Sequence, residues 1–317
     1  MKYDLCLTWE WVYDTDFVKM LEAACQFHQV TFLQITPANL DQALHDLKTD
    51  QVSFKAFLDR ASDSNEAFLP LVGWARSQPI YRINPFGIAR HAWDKAEMHY
   101  AFTNAGLDTS HSIKLPSFKS QPHISPLLMS SIGPYFSIKP VHGGGGSGLL
   151  IGATSWDEVL KTRQEIPEDQ YILQDYVIPG RLGERQAWFR IIYCSGEVFP
   201  CWWDTHTHIY TPVTLEEEYI FNLYPLKEIT NTMAQVCQLD LFSTEIARTP
   251  TERFKIVDYI NDPIDLRLQS DCSEGVPDKI VQAIADRLAN MVNNLPEPIN
   301  PPAHQPDYSS SRLASSQ

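Results

Sequence analysis

Residues 135–154 read YFSIKPVHGGGGSGLLIGAT, in which four consecutive glycines separate two runs of strand-forming residues. Glycine has no Cβ, so such a loop can approach a ligand closely and bind phosphate through backbone amides. The run satisfies G-x-G-x-x-G, but a dinucleotide-binding turn opens directly into a helix, whereas LLIGAT predicts a strand. A Walker A loop ends in Gly-Lys-Ser/Thr, whereas Leu149 follows Gly148 here. We predict a hairpin loop that covers nucleotide phosphates; the alternative is a flexible surface turn.

The sequence on either side of this loop has two different textures. Residues 1–90 alternate between strand-like runs, such as KYDLCLTW and QVTFLQI, and helical periodicity, which predicts a parallel, doubly wound sheet. Beyond residue 107, strand-like runs such as YILQDYVI, AWFRIIY and FKIVDYI predominate, with helices from Ser155 and over 278–294. This mixture predicts an α+β body. Residues 296–317 are rich in proline and serine, so we predict a disordered tail.

Composition excludes several classes of protein. The 317 residues are 44% hydrophobic and 20% charged, as in ordinary globular proteins. A net charge of −14 argues against a protein that binds nucleic acid or anionic lipid through a basic surface. The first residues lack a secretory signal, no apolar run approaches the roughly 20 residues that span a bilayer, and the six cysteines are scattered. We therefore expect a cytoplasmic protein without membrane or nucleic-acid partners.

Four charged residues stand out because they interrupt predicted strands. Lys139 precedes the glycine loop on the incoming strand. Arg190 lies in AWFRIIY, where its guanidinium suits a phosphoryl group or a substrate carboxylate; the alternative is a structural salt bridge. Glu245 and Asp258 lie on two strands joined by the turn RTPTER, so a hairpin would bring their carboxylates together. Mg²⁺ favours a few carboxylate oxygens combined with substrate phosphates.

The order of these motifs, from about residue 80 to 270, resembles that of the ATP-grasp superfamily. The resemblance implies an ATP-grasp fold, with ATP held between two α+β lobes, at about 107–175 and 176–295. Residues 91–295 would form the ATP-grasp domain, preceded by a Rossmann-like domain over residues 1–90. The cofactors implied are ATP and Mg²⁺, with Mn²⁺ as a possible substitute.

The resemblance also implies individual roles. Lys95 and Lys139 would contact the phosphates together with the loop, Gln174 would read the adenine edge, and Asp175 and Val177 would add backbone contacts. The loop comprises Gly143, Gly144, Gly145, Gly146, Ser147 and Gly148. Arg190, with Lys139, would act in catalysis by steadying an acyl phosphate.

The same resemblance concerns the metal. Glu245, Asp258 and Asn261 would be its ligands. The superfamily usually places the last two residues two positions apart on one strand face. Asp258 and Asn261 are three apart, so a β-bulge or the end of the strand is required, or Asn261 is not a ligand.

The activity implied is that of an ATP-dependent ligase. It would form an amide-type bond through an acyl-phosphate intermediate, joining a small-molecule or peptide carboxylate to an amine, or alternatively to a thiol. A homodimer is possible. Two alternatives stay open: a small-molecule kinase on the same fold, and a non-catalytic ATP-binding protein.

Overall fold

A computed structural model describes residues 1–142 and 147–296. The four consecutive glycines at 143–146 and the predicted tail from residue 297 onward lie outside the described residues.

The first sheet is four-stranded and parallel, in the order β2-β1-β3-β4. Its strands are β1 (Lys2–Trp9), β2 (Phe32–Ile35), β3 (Ser53–Arg60) and β4 (Tyr81–Ile83). Its helices are α1 (Thr15–Phe27), α2 (Leu40–Lys48) and α3 (Leu69–Ser77). Leu5 and Leu7 of β1 pack in one cluster with α1, whereas Cys6 packs in another with α2 and α3. Helices therefore cover both faces, and the predicted doubly wound sheet is confirmed.

Strand β3 is the element of this sheet that the sequence analysis does not predict. Its sequence, SFKAFLDR, mixes charged with apolar residues, although it lies in the sheet interior between β1 and β4. Neighbouring strands supply partners for those charges. The Nζ of Lys55 lies 2.9 Å from Oδ1 of Asp4, and the hydroxyl of Thr8 donates to Oδ1 of Asp59 over 2.7 Å. The two charges interrupt an alternation of apolar residues at 54, 56 and 58, and the partners that accommodate them lie on a separate segment.

Two antiparallel sheets make up most of the rest. The four-stranded sheet has the order β5-β8-β6-β7, the five-stranded sheet has the order β13-β12-β11-β14-β15, and β9 pairs with β10 in a small hairpin. The strands are β5 (Ser112–Leu115), β6 (Phe136–Pro140), β7 (Leu150–Ala153), β8 (Tyr171–Asp175), β9 (Arg181–Leu182), β10 (Arg185–Gln186), β11 (Trp188–Cys194), β12 (Glu197–Trp203), β13 (Tyr210–Pro212), β14 (Leu241–Arg248) and β15 (Phe254–Asn261). The predicted mixture of α/β and α+β structure is confirmed.

Six further helices accompany these sheets. They are α4 (Phe86–Ala92), α5 (Lys95–Asn104), α6 (Trp156–Thr162), α7 (Leu215–Ile220), α8 (Pro225–Cys237) and α9 (Asp278–Asn293). Ser155 and Glu158 form a reciprocal capping box at the start of α6. Pro225 is the first residue of α8, because proline fits the first helical turn, where no intrahelical N–H partner is needed. No helix within residues 1–142 and 147–296 has the length and apolar character needed to cross a bilayer.

The largest apolar cluster joins distant parts of the chain. Leu5, Leu7 and Leu21 of the first sheet and α1 pack with Ile284 and Leu288 of α9. Inward-facing residues of β11, β12 and β14 complete the same cluster. Because this core extends across both halves of the chain, the boundary near residue 90 stays a prediction.

Candidate active site

The charged residues of the predicted site come from separate elements and lie together. Lys139 is on β6, and its Nζ donates a hydrogen bond over 3.0 Å to the backbone oxygen of Val257 on β15. This bond joins the four-stranded antiparallel sheet to the five-stranded one. Lys95, the first residue of α5, and Lys139 both interact electrostatically with Asp258 of β15. Two ammonium groups thus face one buried carboxylate.

A β-bulge places the three predicted metal ligands side by side. Glu245 on β14 lies opposite Asp258 on β15, and Ser243 lies opposite Asn261. Between these pairs β14 advances by two residues and β15 by three, so β15 carries one extra residue. The side-chain amide of Asn261 donates to Oδ2 of Asp258 over 3.0 Å. The bulge that the three-residue spacing requires is therefore present.

The two carboxyl groups of this pair have pKa values shifted in opposite directions. Burial raises the pKa of Asp258, but Lys139, Lys95, the Asn261 hydrogen bond and Arg190 together outweigh burial and hold it below its usual value. Burial also raises the pKa of Glu245, and there it outweighs the opposing effect of Arg190. Among the described residues, no group of three or more His, Cys, Asp or Glu side chains could hold a metal. A cation here would need phosphate oxygens as further ligands, which suits Mg²⁺.

Lys95 occupies an environment that disfavours its own charge. Burial lowers the pKa of the Lys95 ammonium group, Lys139 lowers it further, and the carboxylates of Asp258, Asp169 and Asp94 oppose this shift. Two neighbouring cations with part of their hydration removed repel each other, and a polyanion between them would relieve that repulsion.

Arg190 lies on β11 within a cage of aromatic rings. Its Cζ is 5.0 Å from the ring centre of Trp203 and 5.9 Å from that of Tyr210. One guanidinium nitrogen donates to Oε1 of Glu245 over 3.3 Å, and the indole N–H of Trp188 donates to Oε2 of the same carboxylate over 2.9 Å. The Nε atom of Arg190 is buried and has no hydrogen-bond partner in the described part of the chain. The guanidinium is thus held in place with its hydrogen-bonding capacity incompletely used.

Part of the predicted phosphate loop can be described. Ser147 is exposed, and Gly148 is buried with φ at +67°, in the left-handed region that favours glycine. A Cβ at this position would lie 3.0 Å from Cδ1 of Ile166 and 3.3 Å from the hydroxyl of Tyr171. Gly143, Gly144, Gly145 and Gly146 lie outside the described residues, so their phosphate-binding role stays a prediction.

The residue before the glycines is fixed by a carboxylate that the sequence analysis does not single out. The backbone N–H of His142 donates to Asp169 over 2.9 Å, and Nδ1 of its ring lies 2.8 Å from the same carboxylate. Nε2 of His142 is 3.6 Å from Asp94, the N-cap of α5. The loop therefore starts from an anchored position beside Lys95.

The predicted adenine-binding residues lie on and just after β8. Gln174 is 2% exposed, and its side-chain amide donates to the hydroxyl of Tyr259 over 3.0 Å. The carboxylate of Asp175 accepts a hydrogen bond from the backbone N–H of Gly133 over 2.7 Å, and Val177 is buried. Because the Gln174 amide is already hydrogen-bonded in the interior, its contact with adenine stays a prediction. The backbone N–H of Asp175 is also occupied, since it donates to the backbone oxygen of His111 over 2.9 Å, so the backbone contacts of Asp175 and Val177 stay predictions as well.

A buried polar network beneath this strand was not predicted from the sequence. The hydroxyl of Tyr259 bonds both Gln174 and Nδ1 of His99, the latter over 2.7 Å. Tyr259 lies in the segment that forms the β15 bulge, and His99 is on α5. One tyrosine therefore links the strand carrying Asp258 to the strand carrying Gln174. The sequence predicts a functional role for the neighbouring Asp258, but nothing in the sequence points to His99.

The comparisons with known proteins bear on this architecture. No protein-family model matches the sequence, and no curated protein matches it. Many solved structures resemble it, and three of them have TM-scores of 0.61 to 0.63. An ATP-grasp RimK domain protein from Sphaerobacter thermophilus has 15% identity, a TM-score of 0.61, and coverage of 92% of this chain and 99% of its own.

The other two are a ligase and a macrocyclase. D-alanine–D-alanine ligase from Bacillus anthracis, solved with ATP, has 12% identity and a TM-score of 0.63, covering 92% of this chain and 95% of its own. The macrocyclase MdnC from Microcystis aeruginosa, bound with precursor peptide MdnA, has 12% identity and a TM-score of 0.61, covering 90% and 99%. These likenesses extend over nearly the whole of each chain. The chain therefore has the ATP-grasp fold.

Proposed function

We propose that the protein is an ATP-dependent ligase that activates a carboxylate and joins it to an amine. The observation that carries this proposal is the charge arrangement where the two antiparallel sheets meet. Lys95 and Lys139 face Asp258, while Glu245 lies between Asp258 and Arg190. Cationic side chains that could bind phosphate thus lie next to carboxylates that could bind a divalent ion. Such an arrangement works by positioning and electrostatics and needs no side-chain nucleophile.

In the first step, a carboxylate oxygen of the substrate attacks the γ-phosphorus of ATP. The bond from that phosphorus to the bridging oxygen breaks, ADP leaves with the electron pair, and an acyl phosphate forms. Lys95 and Lys139 would offset charge on the transferred group, because their ammonium groups already converge on the same carboxylate. The glycine loop would cover the phosphates and exclude water.

In the second step, the acceptor amine attacks the acyl carbon. The carbon–oxygen bond to phosphate breaks, inorganic phosphate leaves, and the amine gives up a proton to solvent. Arg190 would stabilise the oxyanion of the tetrahedral intermediate, since its buried Nε lacks a partner in the described part of the chain. A thiol acceptor would give a thioester by the same steps.

Glu245, Asp258 and Asn261 are the residues that would hold Mg²⁺, or Mn²⁺ in its place. Their fit rests on a carboxylate pair at opposed ladder positions and an amide oxygen beside it. Because Asp258 has a lowered pKa, it stays ionised and ready to bind a cation. Bound there with ATP, the metal would neutralise phosphate charge.

The fold relatives favour a carboxylate substrate of amino-acid or peptide type. One is a D-alanine–D-alanine ligase complexed with ATP, and another is a macrocyclase bound with a precursor peptide. The first name is that of a ligase of an amino acid, and the second protein was solved with a peptide. We extend that chemistry, but neither specific substrate, to this chain.

The test is a screen of ADP release with Mg-ATP against free amino acids and short peptides, paired with mass detection of products. Once a substrate is identified, its carboxylate is labelled with ¹⁸O. An acyl phosphate transfers one label to the inorganic phosphate, because the carbon–oxygen bond breaks in the second step. Asp258→Asn serves as the inactive control, and Lys161→Ala, an exposed change on α6, as the neutral one.

Two outcomes would contradict the proposal. A stable phosphorylated product, formed with ADP but without release of inorganic phosphate, would favour the kinase. If the protein binds ATP but releases no ADP in the presence of any tested carboxylate, a non-catalytic ATP-binding protein would be favoured.

A further inference from the structure

A cavity lies outside the candidate active site, between edge strand β4 and the C-terminal end of α8. Its volume is about 390 Å³, within the range of small-molecule pockets. Its lining includes Tyr81 and Arg82 of β4, Tyr193 of β11, and Asp240, which precedes β14. None of the residues assigned to ATP, metal or catalysis lines it.

The cavity carries two opposite charges that do not satisfy each other. Arg82 donates through one terminal nitrogen to the neutral backbone oxygen of Arg76 over 3.0 Å, and its Nε is buried without a partner. The Asp240 carboxylate accepts the hydroxyl of Tyr81 at 2.9 and 3.0 Å from its two oxygens. Within residues 1–142 and 147–296, neither charge has an ion-pair partner inside 4.0 Å. Half-buried charges of this kind call for a partner from outside the chain.

The wall beside Asp240 is further biased toward a cation. Helix α8 ends at Cys237, and Ala234, Gln235 and Gln238 of its last turn line the cavity. The C-terminal end of a helix carries a partial negative charge that favours cations. An ammonium group near Asp240 would therefore experience two favourable fields, whereas Arg82 offers a separate anion-binding position.

Part of the lining is apolar. Ile80, Leu239 and the ring of Tyr193 contribute this surface. A ligand that matches all three features has an ammonium group, a carboxylate and an apolar side chain. We propose that this cavity binds a free α-amino acid with an apolar side chain, at a site separate from that of ATP.

The probe is L-phenylalanine, compared with two analogues that each lack one charge. Calorimetry on the full chain, without nucleotide, should detect saturable binding of L-phenylalanine. 3-Phenylpropanoate lacks the amine and 2-phenylethylamine lacks the carboxylate, so each should bind at least ten-fold more weakly, because one charge-assisted contact is lost.

Two variants then assign each end of the ligand. Asp240→Asn should weaken L-phenylalanine at least ten-fold while leaving 3-phenylpropanoate unchanged, and Arg82→Gln should weaken L-phenylalanine while leaving 2-phenylethylamine unchanged. Glu228→Gln on the exposed side of α8 and Arg90→Gln on α4 are matched charge controls that should bind normally. Gln235→Trp, at an exposed position on the rim, should obstruct binding without removing a buried group.

Hydrogen exchange locates the ligand. L-phenylalanine should slow exchange over residues 80–85 and 234–241 and leave residues 136–140 unchanged. Two charge-assisted contacts should give a dissociation constant well below about 10 mM. If L-phenylalanine does not bind up to that concentration, the proposal is overturned. Binding that both charge variants retain in full would equally overturn it, as would protection confined to the candidate active site.

Discussion

Two arginines of this molecule, Arg60, which is buried, and Arg190, which is half-buried, each bond a carboxylate, and the two pairs differ in how completely their hydrogen bonds are satisfied. Arg60, at the end of β3, meets Asp14 through two hydrogen bonds of 2.9 and 2.6 Å and also donates to the backbone oxygen of Ile264 over 2.8 Å. Its side chain and that of Asp14 are 3% and 2% exposed. Arg190 meets Glu245 through one contact of 3.3 Å, and these side chains are 20% and 16% exposed.

The difference agrees with the proposed function, in which Arg60 has a structural role and Arg190 contacts the substrate. A bidentate, fully bonded pair compensates its own desolvation and leaves little capacity for a ligand. The Arg190 arrangement keeps an unpaired buried Nε beside a carboxylate that shares its other oxygen with Trp188. We propose that a substrate uses this remaining hydrogen-bonding capacity of Arg190.

The largest expected effect comes from breaking the satisfied pair. Arg60→Met would leave the Asp14 carboxylate buried without its partner, so the free energy of unfolding should fall by about 3–5 kcal/mol. Urea denaturation followed by circular dichroism at pH 7 measures it. Arg90→Met at an exposed position is the matched control and should change stability by under about 0.5 kcal/mol.

The comparison is sharpened by the same substitution at the second arginine. Arg190→Met should cost less stability than Arg60→Met, since fewer hydrogen bonds are lost, yet it should abolish ligation. Equal destabilisation by both variants would contradict the distinction between the two pairs.

A smaller effect in free energy is expected at the metal pair. Asp258→Asn should reduce turnover at least 100-fold, about 2.7 kcal/mol in the barrier, because a ligand and a partner of two lysines are lost. Burial raises the pKa of Asp258, but its neighbours outweigh burial and hold the pKa below its usual value. The charge of Asp258 therefore stabilises the folded state at pH values above the usual pKa of an aspartate. That contribution is lost as the pH falls through the lowered pKa. The melting temperature should therefore drop at pH 7, with a difference from wild type that shrinks in acid.

Full activity of this variant across a range of Mg²⁺ concentrations would exclude Asp258 as a ligand. A melting difference that stays constant with pH would show that the charge of Asp258 has no role in stability.

Next in size is the loss of one phosphate contact. Lys139→Ala should weaken Mg-ATP binding at least ten-fold, since a charge-assisted hydrogen bond contributes roughly 1.5–3 kcal/mol. Calorimetry measures it, with Lys161→Ala as an exposed lysine control on the same lobe. Unchanged affinity would remove Lys139 from the nucleotide site.

The smallest effect is of opposite sign to that at Asp258. Burial raises the pKa of Asp240, so the folded state favours its protonated form and stability falls as pH rises from about 4 through the raised value. Asp240→Asn removes that penalty while its amide oxygen can still accept from Tyr81. The variant should melt at or above the wild-type temperature at pH 7.5 and lose this advantage at pH 4. A variant that is less stable at both pH values would contradict the assignment.

The sequence predicted those parts of the site that depend on local pattern. Lys139 beside the glycine run, Arg190 in an aromatic strand, and the Glu245–Asp258 hairpin could each be inferred from a few neighbouring residues. The same holds for the capping box of Ser155. The sequence is sufficient to predict a residue's role where the neighbouring residues in the same segment determine that role.

What the sequence could not predict depends on partners from distant segments. The three-residue spacing of Asp258 and Asn261 left their relation open, because a bulge is a property of the paired strands. The hydrogen bond from Gln174 to Tyr259 and the anchoring of His142 by Asp169 likewise join separate elements. Strand β3 was missed because its charges find partners on β1.

The packing of α9 against the first sheet has a consequence during synthesis on the ribosome. Ile284 and Leu288 of α9 cover the side of the sheet that carries Leu5 and Leu7. The residues that complete this core are therefore translated long after the strands that need them. Until α9 emerges, only α1 can cover this face, and the apolar surface that stays exposed is of the kind that chaperones bind and that leads to aggregation. Translation order thus makes the earliest-made part of this molecule one of the last to become stable.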